Sequence, residues 1–182
     1  TLTLGHSPDP DDAFMFYGLA RDLIPTGGFR FQHILQDIQT LNERATRGEL
    51  DISAISIHAY AYVSGHYALL PSGASMGDGY GPMLVARDKL SAAEIRRKRI
   101  AVPGTMTSAF LALQLWLNQP ACELDCLVVP FDQIFAAVRD GRRYQAPASW
   151  LGVALICGAI PAAHAENWRI TPTLAVTETL TN

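Results

Sequence analysis

The sequence predicts an α/β fold made of two lobes, and three observations indicate it. Strand-like and helix-like segments alternate over residues 2–142. The order strand, polar turn, helix, strand, helix, glycine occurs twice, and a glycine-rich segment at 73–81 separates the two runs. Alternation at this spacing is typical of parallel sheets with right-handed crossovers. We therefore expect a first lobe over residues 1–88 and the first half of a second lobe over 89–142.

The first run alternates between the periodicities of strands and of helices. Its predicted elements, in order, are strand 2–6, polar turn 7–12, helix 13–20, strand 29–35, helix 37–47 and strand 51–56. Two prolines end the first strand because they lack an N–H group. Asp11 or Asp12 is then expected to cap the first helix. Gly48 is expected at the C′ position of the second helix.

The second run repeats this order after two further strand-like segments at 68–71 and 83–87. Its predicted elements are strand 99–103, polar turn 104–108, helix 109–118, strand 124–130 and helix 131–140, closed by Gly141. The repetition predicts two lobes of similar construction that face a cleft.

The composition is that of a globular protein. The 182 residues are 49% hydrophobic and 17% charged, with a net charge of −3. This charge gives no electrostatic reason to expect a nucleic acid or an anionic membrane as partner. The chain opens on a strand pattern without a basic or apolar leader, so we expect a cytoplasmic location. Cys122, Cys126 and Cys157 do not form a disulfide framework or a metal-binding pattern, and we expect free thiols that are buried or half-buried.

Both polar turns lie between the carboxyl end of a strand and the start of a helix. Such positions present unpaired N–H groups and a partial positive charge, which favours an anionic ligand. Two turns, one in each lobe, could hold one small acid from both sides. The alternative is that Asp11, Asp12, Thr107 and Ser108 only cap their own helices. Neither turn has the Gly-x4-Gly-Lys-Ser/Thr pattern of a phosphate-binding loop.

Five stretches of the sequence are more specific than this general pattern. They are Gly-His-Ser-Pro-Asp-Pro-Asp-Asp-Ala-Phe-Met-Phe-Tyr-Gly-Leu at 5–19, Asp-Ile-Gln-Thr-Leu-Asn at 37–42, Ser-Ile-His-Ala-Tyr-Ala-Tyr at 56–62, Gly-Tyr-Gly-Pro-Met-Leu-Val-Ala-Arg at 79–87 and Ala-Val-Pro-Gly-Thr-Met-Thr-Ser-Ala-Phe at 101–110. Over about residues 2–142 the chain resembles the 1,4-dihydroxy-6-naphthoate synthases of the futalosine route to menaquinone. The resemblance implies a periplasmic-binding-protein-like fold of type II, with a truncated second lobe.

The resemblance also implies an activity and a set of binding residues. The family cleaves cyclic dehypoxanthine futalosine, as a lyase, to release the naphthoate, a small aromatic carboxylate, and needs no cofactor or metal. Its substrate is held at positions that match Ala54, Ile55 and Ser56 on a strand end and Thr107, Ser108 and Ala109 at a helix start. Ser7 and Asp12 fall on the opening motif, where they either shape the same cleft or cap the helix.

The chain departs from the family where the catalytic base is expected. The family has a histidine on the strand and loop after the second helix–glycine unit, but residues 142–150 hold none. His164 matches nothing in the family. We expect the earlier histidines, His6, His33, His58 and His66, to be structural rather than catalytic, and among them His58 is the best candidate to face the cleft. No catalytic residue is therefore assigned, and whether the chain is an active enzyme stays open.

The last forty residues follow a different pattern. Residues 142–165 carry basic residues, a short apolar run and an Ala-x-Ala ending, as a secretory signal peptide does, although the run is too short to span a membrane. Residues 166–182 alternate as a β-strand of an exported protein does. We expect residues 143–182 to be a foreign tail from a frameshift or fusion. The alternative is a divergent strand and helix that complete the second lobe.

Three functions stay open at this point. The chain is a naphthoate synthase, whole or broken, a solute-binding protein for a small carboxylate, or a non-functional chimeric fragment. A foreign tail would leave the second sheet without its middle strand. We therefore expect an isolated chain that is poorly soluble and lacks synthase activity.

Overall fold

The computed structural model describes residues 1–77, 81–140, 153–156 and 169–171. It forms two compact units. Unit 1 comprises Thr1–Met76 together with Met106–Ser108, and unit 2 comprises Gly77–Thr105 and the described residues from 109 onward. The units divide between Met76 and Gly77, earlier than the expected boundary after residue 88. The reason is that the strand near residue 85 pairs within unit 2.

Unit 1 is built on a parallel sheet of three strands. They are β1 (Leu2–His6), β2 (Phe31–Leu35) and β3 (Ile52–Ser53), in the order β2-β1-β3. Leu2 of β1 pairs with Phe31 of β2, and Leu4 pairs with Ile52 of β3, all in parallel register. The parallel arrangement predicted for the first run is confirmed.

Three helices accompany this sheet, α1 (Pro10–Ala20), α2 (Ile38–Thr46) and α3 (Ile57–Val63). Helix α2 begins with an N-cap, since the Asp37 carboxylate accepts the Thr40 N–H at 3.0 Å. After the C-cap Arg47, Gly48 occupies the predicted C′ position with a φ of 64°, the left-handed conformation that glycine adopts easily. Helix α3 lies in a stretch for which the sequence indicated no element, and residues 68–71 do not form the expected strand.

Helix α1 starts earlier than the sequence pattern suggests. Its N-cap is Asp9, which makes no capping bond with its side chain, and Pro10 follows at the first helical position. Proline fits there because its missing N–H would have had no intrahelical partner. Asp11 and Asp12 thus lie within the first turn, and the expectation that one of them is the cap is wrong.

The described residues of unit 2 form a mixed sheet of five strands. They are β4 (Met83–Ala86), β5 (Ile100–Val102), β6 (Cys126–Val128), β7 (Val153–Ile156) and β8 (Arg169–Thr171). Their order is β6-β5-β7-β4-β8, with β6 and β7 parallel to β5, and with β7 and β8 antiparallel to β4. The helices are α4 (Ala92–Ile95), α5 (Ser108–Leu117) and α6 (Ile134–Asp140).

Strand β7 occupies the middle of this sheet, so the expectation of a missing middle strand is wrong. A short apolar run has the composition of a central strand as much as that of a signal-peptide core, and the sequence alone does not separate the two. Residues 143–152, 157–168 and 172–182 of the predicted foreign tail lie outside the described residues.

Each unit has its own hydrophobic core. In unit 1, Leu4 of β1, Leu41 of α2 and Val63 of α3 are fully buried or nearly so. In unit 2, Ile100 of β5 packs in one cluster with Phe110 of α5. Among the residues that the structure describes, no helix has the length and apolar character needed to cross a bilayer.

Candidate functional site

Helix α2 carries two polar side chains on its buried side. Gln39 and Asn42 stand three residues apart, which places them on the same face of the helix. Gln39 is buried, and Asn42 is 0% exposed. Since a buried amide is costly unless its donors and acceptor find partners, such residues need nearby polar groups.

Asn42 finds its first partner in Ser56, directly before helix α3. The Ser56 N–H donates to Asn42 Oδ1 at 2.9 Å, and Asn42 Nδ2 donates to Ser56 Oγ at 3.0 Å. A backbone N–H can only donate, so the oxygen of the amide must face it, and the NH₂ group must face the hydroxyl. The Ser56 side chain makes no capping bond to α3. Its hydrogen bond to Asn42 holds this hydroxyl in place between β3, which ends at Ser53, and α3, which begins at Ile57.

Met106, two residues before helix α5, is held by the same face of α2. Its N–H donates to Gln39 Oε1 at 3.2 Å, and its carbonyl accepts from Asn42 Nδ2 at 3.4 Å. Both backbone groups of one residue are therefore bound by α2 side chains. Asn42 therefore bonds both to the predicted binding serine, Ser56, and to Met106, the residue directly before Thr107.

His58 reaches this second segment as well. Its Nδ1 lies 3.2 Å from the Thr107 carbonyl oxygen, and its Nε2 lies 3.5 Å from Tyr62 Oη. A carbonyl only accepts, so Nδ1 carries the hydrogen, and in the neutral ring Nε2 is left as the acceptor. The histidine judged best placed from the sequence is thus next to one of the two predicted binding segments.

Ser7 and Asp12 serve the turn in which they lie. The Ser7 N–H donates to Asp12 Oδ2 at 2.7 Å, and the Asp9 N–H donates to Ser7 Oγ at 3.1 Å. Asp11 accepts from the Ser75 hydroxyl at 2.7 Å. The first two bonds stabilise the turn locally, and the third connects it to Ser75. The predicted contribution of Ser7 and Asp12 to ligand binding stays a prediction.

The other predicted binding residues differ in what they can offer. The Ala54 N–H donates to the Gly5 carbonyl at 2.8 Å, which continues the pairing of β3 with β1. Ile55 and Ser108 are half-buried. Ala109 is buried in the core of unit 2, so its methyl group contributes to packing there.

These groups favour an anion. Ser56 Oγ already accepts from Asn42, and therefore its own hydrogen can be donated to another group. Helix α5 begins at Ser108, and the start of a helix carries a partial positive charge. A hydroxyl donor and a helix start suit the oxygens of a carboxylate. In the described part of the chain, no group of three or more His, Cys, Asp or Glu side chains could hold a metal ion.

The cysteines in the described residues are free thiols. Burial raises the pKa of the half-buried Cys126 to about 11, so this thiol stays protonated near neutral pH. Cys122 is exposed, contrary to the expectation that it is at least half-buried. Cys157 lies outside the described residues.

Two histidines, His6 at the end of β1 and His33 on β2, lie next to the turn that begins at Ser7. His6 Nε2 is 2.9 Å from His33 Nδ1, and His6 Nδ1 is 3.0 Å from the Ser7 carbonyl oxygen. The His6 ring stacks on Phe16 at a centroid distance of 4.5 Å. Burial and the neighbouring His6 lower the pKa of His33, and Asp22 opposes this shift. The pair was not predicted, although the parallel strands β1 and β2 place the two rings side by side.

Sequence reasoning also missed Gln39 and Asn42. The available signal was a pair of amides spaced i, i+3 next to Leu41 and Ala45, the apolar positions of an amphipathic helix. Amides on that side of a helix indicate a buried polar network rather than a solvent-facing surface.

The fold and this site define an α/β protein of the periplasmic solute-binding-protein-like class. Within that class, the family model described as menaquinone biosynthesis matches residues 2–146. The chain belongs to this menaquinone biosynthesis family, as the resemblance implied.

Two curated relatives agree with this assignment. The chain is 37% identical to a 1,4-dihydroxy-6-naphthoate synthase of Streptomyces coelicolor over 144 residues, which cover 78% of this chain and 50% of the relative. It is 41% identical to a 1,4-dihydroxy-6-naphthoate synthase of Thermus thermophilus over 141 residues, covering 78% and 49%. The chain spans about half the length of the curated relatives it matches.

Solved structures confirm the predicted fold class. A crystal structure of a protein from Archaeoglobus fulgidus matches with a TM-score of 0.79 at 36% identity, over 93% of this chain and 58% of that one. The alkanesulfonate-binding protein SsuA of Xanthomonas axonopodis pv. citri matches with a TM-score of 0.61 at 14% identity, over 93% and 59%. The second similarity shows the periplasmic-binding fold alone.

Proposed function

We propose that this chain is the substrate-binding part of a 1,4-dihydroxy-6-naphthoate synthase that acts in menaquinone biosynthesis. The observation that carries the proposal is the joint attachment of Ser56 and Met106 to Asn42. Family resemblance assigns substrate binding to the strand end and helix start at these places. Two segments distant in sequence are thus held on one helix face, as a preformed binding site requires.

The ligand that we propose is a small aromatic carboxylate. The Ser56 hydroxyl can donate to a carboxylate oxygen, and the partial positive charge at the start of α5 favours an anion. Such binding needs no charged side chain from the protein. The relatives' name is that of a synthase of a naphthoate, which is an aromatic carboxylate.

The reaction that we propose for the complete enzyme is the lyase cleavage of cyclic dehypoxanthine futalosine to 1,4-dihydroxy-6-naphthoate, in the cytoplasm. For this chain, which spans half of its relatives, we propose binding without turnover. The stretch in which the family carries its base histidine has Arg142 to Trp150 and no histidine. A general base must come within hydrogen-bond reach of the proton that it removes.

The test is ligand binding by the purified full chain, measured by thermal shift and calorimetry with 1,4-dihydroxy-6-naphthoate. At about 100 times its dissociation constant, a ligand adds roughly 2.7 kcal/mol to the stability of its binding protein. Ser56→Ala is expected to weaken binding about tenfold or more, because it removes a hydrogen bond to a charged group worth roughly 1.5–3 kcal/mol. Ser64→Ala is the matched control, since Ser64 is exposed at the end of α3 and is expected to keep the parent affinity.

Two outcomes contradict the proposal. Stabilisation by amino acids or alkanesulfonates, without an effect of the naphthoate, favours a solute-binding protein. Turnover of cyclic dehypoxanthine futalosine by the purified chain shows that a base is present and overturns the proposed restriction to binding.

A further inference from the structure

We propose that Asn42 is a positioning residue that sets the hydrogen-bond direction of Ser56 and fixes Met106 before helix α5. This inference rests on the proposed function, because it concerns the same ligand site. Asn42 does not contact the ligand in this proposal. It acts through the two segments that do.

The amide of Asn42 has a single orientation that satisfies its neighbours. Its oxygen faces the Ser56 N–H at 2.9 Å, and the reversed orientation would place two donors against each other. Its nitrogen therefore faces Ser56 Oγ at 3.0 Å and the Met106 carbonyl at 3.4 Å. All three bonds are made by a side chain that is fully buried, where each bond is costly to lose.

This orientation decides what Ser56 can do. A hydroxyl has one hydrogen to donate and lone pairs to accept with. Since Asn42 Nδ2 occupies a lone pair, the hydroxyl hydrogen cannot point at Asn42 and is available to an acceptor elsewhere. Ser56 is thereby set as a donor, which is the role that a carboxylate oxygen requires.

The second effect of Asn42 is on Met106. Gln39 binds the N–H of Met106 while Asn42 binds its carbonyl. Gln39 is itself oriented, because its Nε2 donates to Glu43 Oε1 at 2.9 Å and leaves Oε1 toward Met106. The peptide groups on both sides of Met106 are therefore fixed to α2, two residues before the first residue of α5.

Asn42→Asp tests the direction of these bonds with little change of shape. An aspartate still accepts from the Ser56 N–H, but it cannot donate to Ser56 Oγ. The Ser56 hydroxyl then donates to Asp and is lost to the ligand. We expect the affinity for 1,4-dihydroxy-6-naphthoate to fall about tenfold or more.

A double-mutant cycle with Ser56→Ala separates this role from a merely structural one. Without the Ser56 hydroxyl, Asn42→Asp can no longer withdraw that donor from the ligand. We therefore expect the fold-loss of affinity caused by Asn42→Asp to be at least three times smaller in the Ser56→Ala background than in the parent. Asp37→Ala is the control. It removes the N-cap of α2 and lowers stability, and we expect the parent affinity because Asp37 bonds only within that cap.

The outcomes are distinct. Equal fold-losses in both backgrounds, with a parent chain that still binds the naphthoate, overturn the action of Asn42 through Ser56. A parent chain that does not bind the naphthoate overturns the proposed function, and with it this inference. If Asn42→Asp does not fold, Gln39→Met tests the hold on Met106. A several-fold weaker affinity that persists with Ser56→Ala supports the inference, and an unchanged affinity overturns it.

Discussion

Helix α1 of unit 1 and helix α5 of unit 2 occupy the same place in the two strand–helix repeats, yet they are buried very differently. Both are apolar and both follow a polar turn. Helix α5 buries four residues, Ala109, Phe110, Leu113 and Leu117, whereas α1 buries none in the described structure. Phe14 of α1 is 87% exposed, and Phe110 of α5 is 2% exposed.

The sheets beneath these helices explain part of the difference. Unit 2 receives β4, β7 and β8 in addition to the two strands of its repeat. The sheet described for unit 1 has only the two repeat strands and the two-residue β3. An apolar composition therefore allows a helix to be buried, but whether it is buried depends on the strands against which it can pack.

The largest effect that we expect from this comparison is at Phe110. Phe110→Ala should reduce the free energy of unfolding by about 3–5 kcal/mol, because it removes a buried ring and leaves a cavity in the core of unit 2. Urea unfolding followed by far-UV circular dichroism measures this change. A loss below about 1 kcal/mol would contradict the close packing of α5.

We expect a smaller loss of stability from a substitution at Gly5, where β1 lies close to α2. Gly5 of β1 has no room for a side chain, since a Cβ there would lie 2.6 Å from Leu50 Cδ1 and 2.7 Å from Leu41 Cδ2. The strand β5 of unit 2 carries Val102 and needs no such glycine.

We expect Gly5→Ala to cost about 1–3 kcal/mol through overpacking. The leucine methyl groups can shift, which favours the lower part of this range. Gly65→Ala is the matched control, because a Cβ at Gly65 meets nothing within 4 Å. Equal midpoints for Gly5→Ala and the parent in urea would show that β1 and α2 are not in close contact.

The repeats themselves were predictable from the sequence because periodicity and turn residues act locally. The order of elements, the parallel pairing of β1 with β2 and of β5 with β6, and the C′ role of Gly48 all follow from short-range patterns. The start of α1 was misplaced, since Pro10 and the two aspartates both fit a first turn.

The site was predictable only in part. Ser56 and Thr107 came from strand ends and from family resemblance, whereas Asn42 depends on contacts between residues far apart in sequence. Likewise, the pairing of β7 with β4 and β5 is a long-range choice that an apolar tetrapeptide does not encode. Local sequence patterns predict where strands and helices form, whereas long-range contacts determine which strands pair and which side chains meet.

A pH effect should distinguish the two repeats, because the His6–His33 pair lies on β1 and β2 of unit 1. Burial, and then His6, lower the pKa of His33 below its ordinary value of 6.5 in the folded state. The unfolded chain then binds a proton more readily. The stability that the neutral His33 ring contributes is thus fully present above about pH 6.5. It is lost as the pH falls from there toward the lower pKa that His33 has in the folded chain.

Urea midpoints measured between pH 7.5 and 5.5 check this direction. We expect His33→Asn to flatten the pH dependence, since its amide can donate to His6 Nε2 without titrating. His66→Asn is the control, because His66 is exposed and lies outside the pair. An unchanged slope in His33→Asn would show that the pair does not contribute to it.

The smallest effect is expected at Phe14, the counterpart of the first prediction. Phe14→Ser should change the free energy of unfolding by no more than about 0.5 kcal/mol, because an exposed side chain loses little contact when it is replaced. It should also raise the solubility of the chain, since Phe14 and Tyr17 expose apolar surface on the same helix. Urea unfolding and the concentration at which the protein precipitates measure the two quantities. A destabilisation close to that of Phe110→Ala would mean that α1 is covered in solution, and the difference between the two repeats would then disappear.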